Sequence, residues 1–116
     1  MKREALITMI DGASSAASSA AVSNSNCDLL SVQVSGTFSS GKIKIQGKTD
    51  PDASEWTDLA FYDKSTLTAT EGSDGITAKG IYDANIAGLL LVRVDVVSVT
   101  GGNVTVVGSF ANTSVN

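Results

Sequence analysis

Hydrophobic and polar residues alternate along much of this chain with the period of two that is typical of β-strands. The clearest run covers residues 30–38, in which Leu30, Val32, Val34 and Phe38 share one parity and Ser, Gln and Thr occupy the other. Successive side chains of a strand point to opposite faces of its sheet. The apolar set is therefore predicted to lie in the core and the polar set in water.

A second alternating run follows almost directly. In residues 42–48, Ile43 and Ile45 are predicted to point inward and the lysines outward. Only the short segment Ser39-Ser40-Gly41 separates this run from the first. Two alternating runs joined by a short loop that contains Gly predict a β-hairpin.

Further strands and turns continue along the chain. Turn signals separate them at residues 71–75, at a predicted loop over residues 83–88, and at Gly101-Gly102. The adjacent Val96-Val97 pair indicates a bulge or a strand buried on both faces. The remaining predicted strands are residues 3–10, 56–61, 64–70, 76–82, 89–99 and 103–110.

About eight short strands at this spacing, with no amphipathic helix, predict an all-β fold. We expect a single antiparallel β-sandwich, jelly-roll-like in character. The predicted core consists of inward-facing residues of these strands, together with Trp56: Val32, Val34, Phe38, Ile43, Ile45, Leu59, Phe61, Leu90, Val92, Val94, Val104 and Val106.

The stretch from Ala13 to Asn26 is of low complexity, being almost entirely Ala, Ser and Asn. It is interpreted either as a flexible arm or as an edge strand with Val22 as its one sizeable anchor. The chain thus divides, within one domain, into a strand and arm at 1–27, a sandwich core at 28–111 and a polar tail at 112–116. If the segment is an arm, its small residues are candidate partner contacts: Ala13, Ser14, Ser15, Ala16, Ala17, Ser18, Ser19, Ala20 and Ala21.

Charge and cysteine content limit the classes of partner and the cellular compartment that we expect for this chain. The net charge is −4, and the only local basic cluster, Lys42, Lys44 and Lys48, is followed directly by acidic residues. Nucleic-acid binding needs clustered basic residues, so it is not expected. Cys27 is the single cysteine and is expected to be a small buried hydrophobe. The apolar run that ends at Ile10 is too short for a signal peptide or a membrane span, so synthesis in a cytoplasm is expected.

Candidate chemistry is sparse. The chain contains no His, which removes the commonest general base and a common metal ligand, so we expect no enzyme, no cofactor and no small-molecule substrate. Asp50, Asp52 and Glu55 are candidate calcium ligands, and the alternative is that they are solvated carboxylates of a turn. Trp56, the only Trp, is either a core residue or a platform for a carbohydrate.

One composite pattern resembles small β-sandwich virion proteins of tailed bacteriophages. In those proteins a GTFSG-type hairpin, a W-x-x-L segment and a V-R-V segment follow one another in this order. The matching segments here are Val32–Phe38, Gly41–Asp50, Trp56–Leu59, Gly80–Tyr82, Ala87–Leu89 and Val92–Val94.

Among such proteins a chain of this size looks most like a capsid decoration (cement) protein or a head-fibre protein. The resemblance implies a non-enzymatic homotrimer on the virion surface, with the major capsid protein as partner. The alternatives are a tail or head-fibre component and a carbohydrate-binding or adhesin module.

Overall fold

A computed structural model of the chain describes residues 2–24 and 26–113. All elements in this part are β-strands, and no described helix is long or apolar enough to cross a membrane. The strands are β1 Lys2–Ala13, β2 Ala17–Ser18, β3 Val22–Ser23, β4 Leu29–Gly36, β5 Ser40–Lys48, β6 Thr57–Asp58, β7 Phe61–Asp63, β8 Thr68–Thr70, β9 Gly80–Asn85, β10 Leu91–Thr100 and β11 Val104–Asn112.

The strands form two antiparallel sheets. The first has six strands in the order β1-β11-β4-β9-β7-β8, and the second has the order β2-β10-β5-β6, with β3 also paired to β10. The prediction of an all-β sandwich is confirmed. The strand number rises to eleven because the Ala/Ser-rich segment adds two short strands and residues 57–70 divide into three.

Alternation predicted most of the core correctly. Nine of the predicted positions are buried: Val32, Val34, Ile43, Ile45, Phe61, Val92, Val94, Val104 and Val106. Phe38 and Leu59 are partly buried and pack against this core. Cys27 is also buried, with 3% of its surface exposed, as expected of a small hydrophobe.

Leu90 was wrongly predicted to lie in the core, since it is 44% exposed. Strand β10 begins only at Leu91, and the chain turns just before it, where the Leu89 amide donates to the Ile86 carbonyl at 3.1 Å. The inward position is therefore taken by Leu89, whose side chain occupies the space above Gly47, where a Cβ would lie 2.6 Å from Leu89 Cδ1.

The predicted β4–β5 hairpin is also wrong. Strand β4 pairs with β11 and β9 in one sheet, whereas β5 pairs with β10 and β6 in the other. The short connection after β4 therefore crosses between the sheets, next to the β10–β11 connection that crosses back. The two crossings are joined by backbone hydrogen bonds from Thr37 to Asn103 (3.0 Å) and from Ser39 to Thr100 (2.9 Å).

Two glycines make this close approach possible. A Cβ on Gly36, at φ +124°, would lie 2.2 Å from the Asn103 carbonyl oxygen. A Cβ on Gly102, at φ +148°, would lie 1.4 Å from the Thr37 carbonyl oxygen. Only glycine fits such a conformation and such a distance.

Two further details concern the end of β9 and a bulge in β10. Asp83 to Asn85 belong to β9 and not to the predicted loop, because β9 pairs with β4 along this stretch. Of the two alternatives for the Val96-Val97 pair, the structure shows the bulge, because the β10–β5 pairing shifts register between Val96 and Ser98 and Val97 is 41% exposed.

Candidate functional site

The outer face of the second sheet carries a connected group of polar side chains. The register opposes Gln46 to Arg93 between β5 and β10, and Gln46 to Asp58 between β5 and β6. Lys44 and Lys48 share the parity of Gln46, so all five side chains project from one face.

Gln46 connects the group through its amide. Arg93 Nε donates to Gln46 Oε1 at 2.8 Å, and Gln46 Nε2 donates to Asp58 Oδ1 at 2.8 Å. The second carboxylate oxygen of Asp58 accepts from Lys44 Nζ, also at 2.8 Å. Gln46 is only 8% exposed, although it lies on the outer face. Both ends of its amide are satisfied, as a nearly buried polar group requires.

Trp56 lies against this group and is not part of the buried core. It is half-buried, with Lys48 Nζ at 4.6 Å and Arg93 Cζ at 4.5 Å from its ring centroid. Both distances are within the range of cation–π attraction. Lys48 Nζ also donates to the Ala53 carbonyl at 2.7 Å, which joins the loop before Trp56 to β5. The expectation that Trp56 is a core residue is therefore wrong.

The electrostatics of the face favour an ionised Asp58. The hydrogen bond from Lys44, followed by that from Gln46, holds the pKa of Asp58 below its usual value. Lys48 and Arg93, in contrast, have no carboxylate partner among the described residues. Positive charge on this face is thus concentrated around the Trp56 ring.

The acidic turn before Trp56 is held by a hydrogen bond of its own. Asp50 Oδ1 accepts a hydrogen bond from the Asp52 amide at 2.9 Å, which is a local turn interaction. Asp50, Asp52 and Glu55 are all exposed, and no cluster of three potential metal ligands exists in the described ranges. This arrangement favours the interpretation as solvated turn carboxylates.

The candidate contact segment, residues 13–21, lies along the edge of the second sheet. Ala17 and Ser18 pair with β10, and Ser18 Oγ donates to Asp95 Oδ1 at 2.7 Å. Ser19 exchanges two bonds with Val94: its amide donates to the Val94 carbonyl at 2.8 Å, and its hydroxyl accepts from the Val94 amide at 2.9 Å. The structure thus favours the edge-strand alternative, with Val22 paired to Val92 and packed against the core.

Apart from Ala13 and Ser19, which are partly buried, the members of this segment are exposed. Ala13 packs against the core from the end of β1. Contact of the exposed members with a partner remains a prediction.

A second surface of interest is the outer face of the first sheet. Its register places Leu6, Ser109, Ser31, Asp83 and Tyr62 in one row across five strands. The next row contains Thr8, Val107, Gln33 and Ile81. We call these nine residues the hydroxyl–apolar face.

The sequence pattern separated inner from outer positions but did not identify either surface. Arg93, Gln46 and Asp58 lie far apart in the sequence, and only the strand pairing brings them to Trp56. Of these three residues only Gln46 lies on the strand of the lysines, and its shared parity with Lys44 and Lys48 is the signal that the sequence offers.

Comparison with known proteins gives a consistent assignment. Among solved structures, the SPBc2 prophage-derived protein YomS is 28% identical, with a TM-score of 0.81 and 95% of each chain covered. The PBSX exported protein XepA is 21% identical, with a TM-score of 0.83, and this likeness shows the shared fold. The match covers 95% of the present chain but 38% of that protein. No curated protein matches the sequence.

The comparisons indicate a phage-derived protein, which confirms that part of the resemblance seen in the sequence. The XepA family model matches residues 3–110, nearly the whole chain. The chain therefore belongs to the XepA family.

Proposed function

We propose that this chain is a non-enzymatic structural protein that decorates and stabilises the capsid of a bacteriophage. In this proposal it forms a homotrimer on the capsid surface and binds the major capsid protein. The phage relationship supports the general setting. The lack of any His supports a role based on binding and not on catalysis.

The hydroxyl–apolar face is the observation that carries the proposal. Leu6 is 69% exposed, Tyr62 47% and Ile81 44%. Asp83 is the one ionisable carboxylate in the two rows, and it pairs with Lys64 at 3.2 Å. A broad surface with exposed apolar side chains and little net charge is typical of protein contacts, because little charge must be desolvated on binding.

A point charge in this face tests the proposal. Ile81→Lys should lower the occupancy on undecorated capsids by about tenfold or more, because the ammonium would be buried against the partner. Leu67→Lys is the matched control, since Leu67 is 71% exposed but lies in the β7–β8 turn outside this face. Electron microscopy of saturated particles measures occupancy, and analytical ultracentrifugation measures the trimer.

Equal occupancy for the wild-type protein and Ile81→Lys would exclude the hydroxyl–apolar face as the capsid contact. No binding by the wild-type protein to any capsid of its phage would refute the decoration role itself. A monomer at all concentrations would refute the trimer.

A second candidate is a carbohydrate-binding or adhesin module, which could belong to a tail or head fibre. The position of Trp56 outside the core favours it, because a half-buried Trp offers a ring to a ligand. Binding to host cell-wall material in place of capsids would support this candidate over decoration.

A further inference from the structure

The group around Trp56 has no role in the proposed capsid contact, because it lies on the other sheet. Its side chains are nevertheless held in a defined arrangement. Gln46 is nearly buried and fixes Arg93 through Nε, while Lys48 is fixed by the Ala53 carbonyl. Side chains that are held in place before binding lose less conformational entropy when a ligand arrives.

Hydrogen-bonding capacity remains on the two cations. Among the described residues, none accepts a bond from the terminal nitrogens of Arg93, which uses only Nε. Lys48 Nζ makes one bond of the three that an ammonium can donate. The two groups therefore retain donors suited to the oxygens of an anion.

The charge distribution selects the ligand class. Lys42, Lys44, Lys48 and Arg93 share one parity of β5 and β10, and they are four of the eight basic residues in a chain of net charge −4. Asp58 pairs with Lys44, and Asp95 lies opposite Lys44 on the same face and accepts a hydrogen bond from Ser18 Oγ. Among the described residues, Lys48 and Arg93 beside Trp56 are left without a carboxylate partner. An anionic ligand is thus attracted to the two cations beside Trp56.

We propose that Trp56, Lys48 and Arg93 form a binding site for a sugar that carries a carboxylate or phosphate group. The two cations, which lie over the indole, bind the anionic group, and the part of the half-buried indole that they leave uncovered contacts the sugar ring. Gln46 is a positioning residue that holds Arg93. This proposal rests on the carbohydrate-binding candidate described above and does not depend on the capsid role.

Fluorescence gives a direct test, because Trp56 is the only Trp in the chain. The wild-type protein is titrated with polygalacturonate, which carries carboxylates, with a phosphorylated mannan, and with neutral dextran. At least one anionic polymer should shift or quench the Trp56 emission, with an affinity that falls as salt rises. Dextran should produce no change. The polymer that binds more tightly identifies the anionic group.

Variants then assign the residues, with affinity measured by calorimetry. Trp56→Ala and Arg93→Gln should each weaken binding by about tenfold. Tyr62→Ala and Lys79→Gln are the matched controls, an exposed aromatic and an exposed cation on other surfaces, and should bind like the wild-type protein. Arg93→Lys keeps the positive charge but changes the hydrogen bond to Gln46, so a partial loss of affinity is expected. This variant still tests the site if Arg93→Gln impairs folding.

Several results would overturn the proposal. They are the absence of any emission change with both anionic polymers, equal binding of dextran, or a loss in Lys79→Gln as large as that in Arg93→Gln. Unchanged affinity in Trp56→Ala would exclude the indole from the site. Capsid occupancy should be normal in Trp56→Ala, Arg93→Gln and Arg93→Lys, whose residues lie outside the hydroxyl–apolar face, so a failure here is distinguishable from a failure of the decoration role.

Discussion

Leu90 and Val92 share a parity but differ in burial, and their truncation provides a quantitative test of the fold. Val92 is fully buried, whereas Leu90 is 44% exposed and lines an open cleft. Val92→Ala removes two buried carbons, which costs about 1.6 kcal/mol at about 0.8 kcal/mol each. A cavity of roughly 40 Å³ adds about 1 kcal/mol, giving a total of about 2.5 kcal/mol.

Leu90→Ala removes three carbons, but nearly half of this side chain is already in water. The loss is therefore about 1.2 kcal/mol, with no closed cavity. Alternation alone predicts the opposite order, because Leu is larger than Val. With an m-value of about 1.5 kcal/mol per M, the urea midpoint should fall by about 1.7 M for Val92→Ala and about 0.8 M for Leu90→Ala. A loss for Leu90→Ala equal to or larger than that for Val92→Ala, at unchanged m-value, would refute the described start of β10.

Four other substitutions probe the backbone and the charges. Leu67 has φ +56°, so Leu67→Gly should relieve strain and raise the free energy of unfolding by about 1 kcal/mol, measured by urea titration; a loss would contradict this. Gly102→Ala should prevent stable folding by circular dichroism, whereas Gly88→Ala, at φ +82° with no atom within 4 Å of the added Cβ, should cost only about 1 kcal/mol. The lowered pKa of Asp58, caused first by Lys44, means that its stabilising effect is present above the unfolded pKa and disappears as pH falls below about 4. Asp58→Asn should therefore flatten the acid limb of the stability–pH curve, and an unchanged limb would exclude this contribution.

The periodicity of the sequence predicted faces far better than it predicted partners. In β4 and β10 the buried residues alternate as expected from Leu30 to Val34 and from Val92 to Val96. This succeeds because side-chain direction is a local property of an extended backbone. Strand pairing, in contrast, depends on residues far apart in the sequence. For this reason the pattern predicts a hairpin turn after β4, whereas this short segment crosses between the two sheets.

For the candidate site, too, the sequence predicts which face a side chain occupies but not which residues it contacts. The outward position of Lys48 is predicted correctly, but nothing in the sequence spacing indicates that both Lys48 and Arg93 contact the Trp56 ring. Their meeting depends on the register of β5 with β10 and on the path of the loop before β6. Such a long-range arrangement cannot be obtained from a single sequence by periodicity.

The pairing of β1 with β11 also determines when the domain can fold. Strand β1 is synthesised before β11, yet its Ile10 lies opposite Val106 of β11. At about 5–20 residues per second, the ribosome needs on the order of 5–20 s between these two strands. Throughout that interval the apolar side of β1 lacks its native neighbour and is exposed to wrong pairing. Its three register shifts, at Arg3/Leu6, Thr8/Ile10 and Ile10/Ala13, make the strand a poor template for foreign strands while it waits.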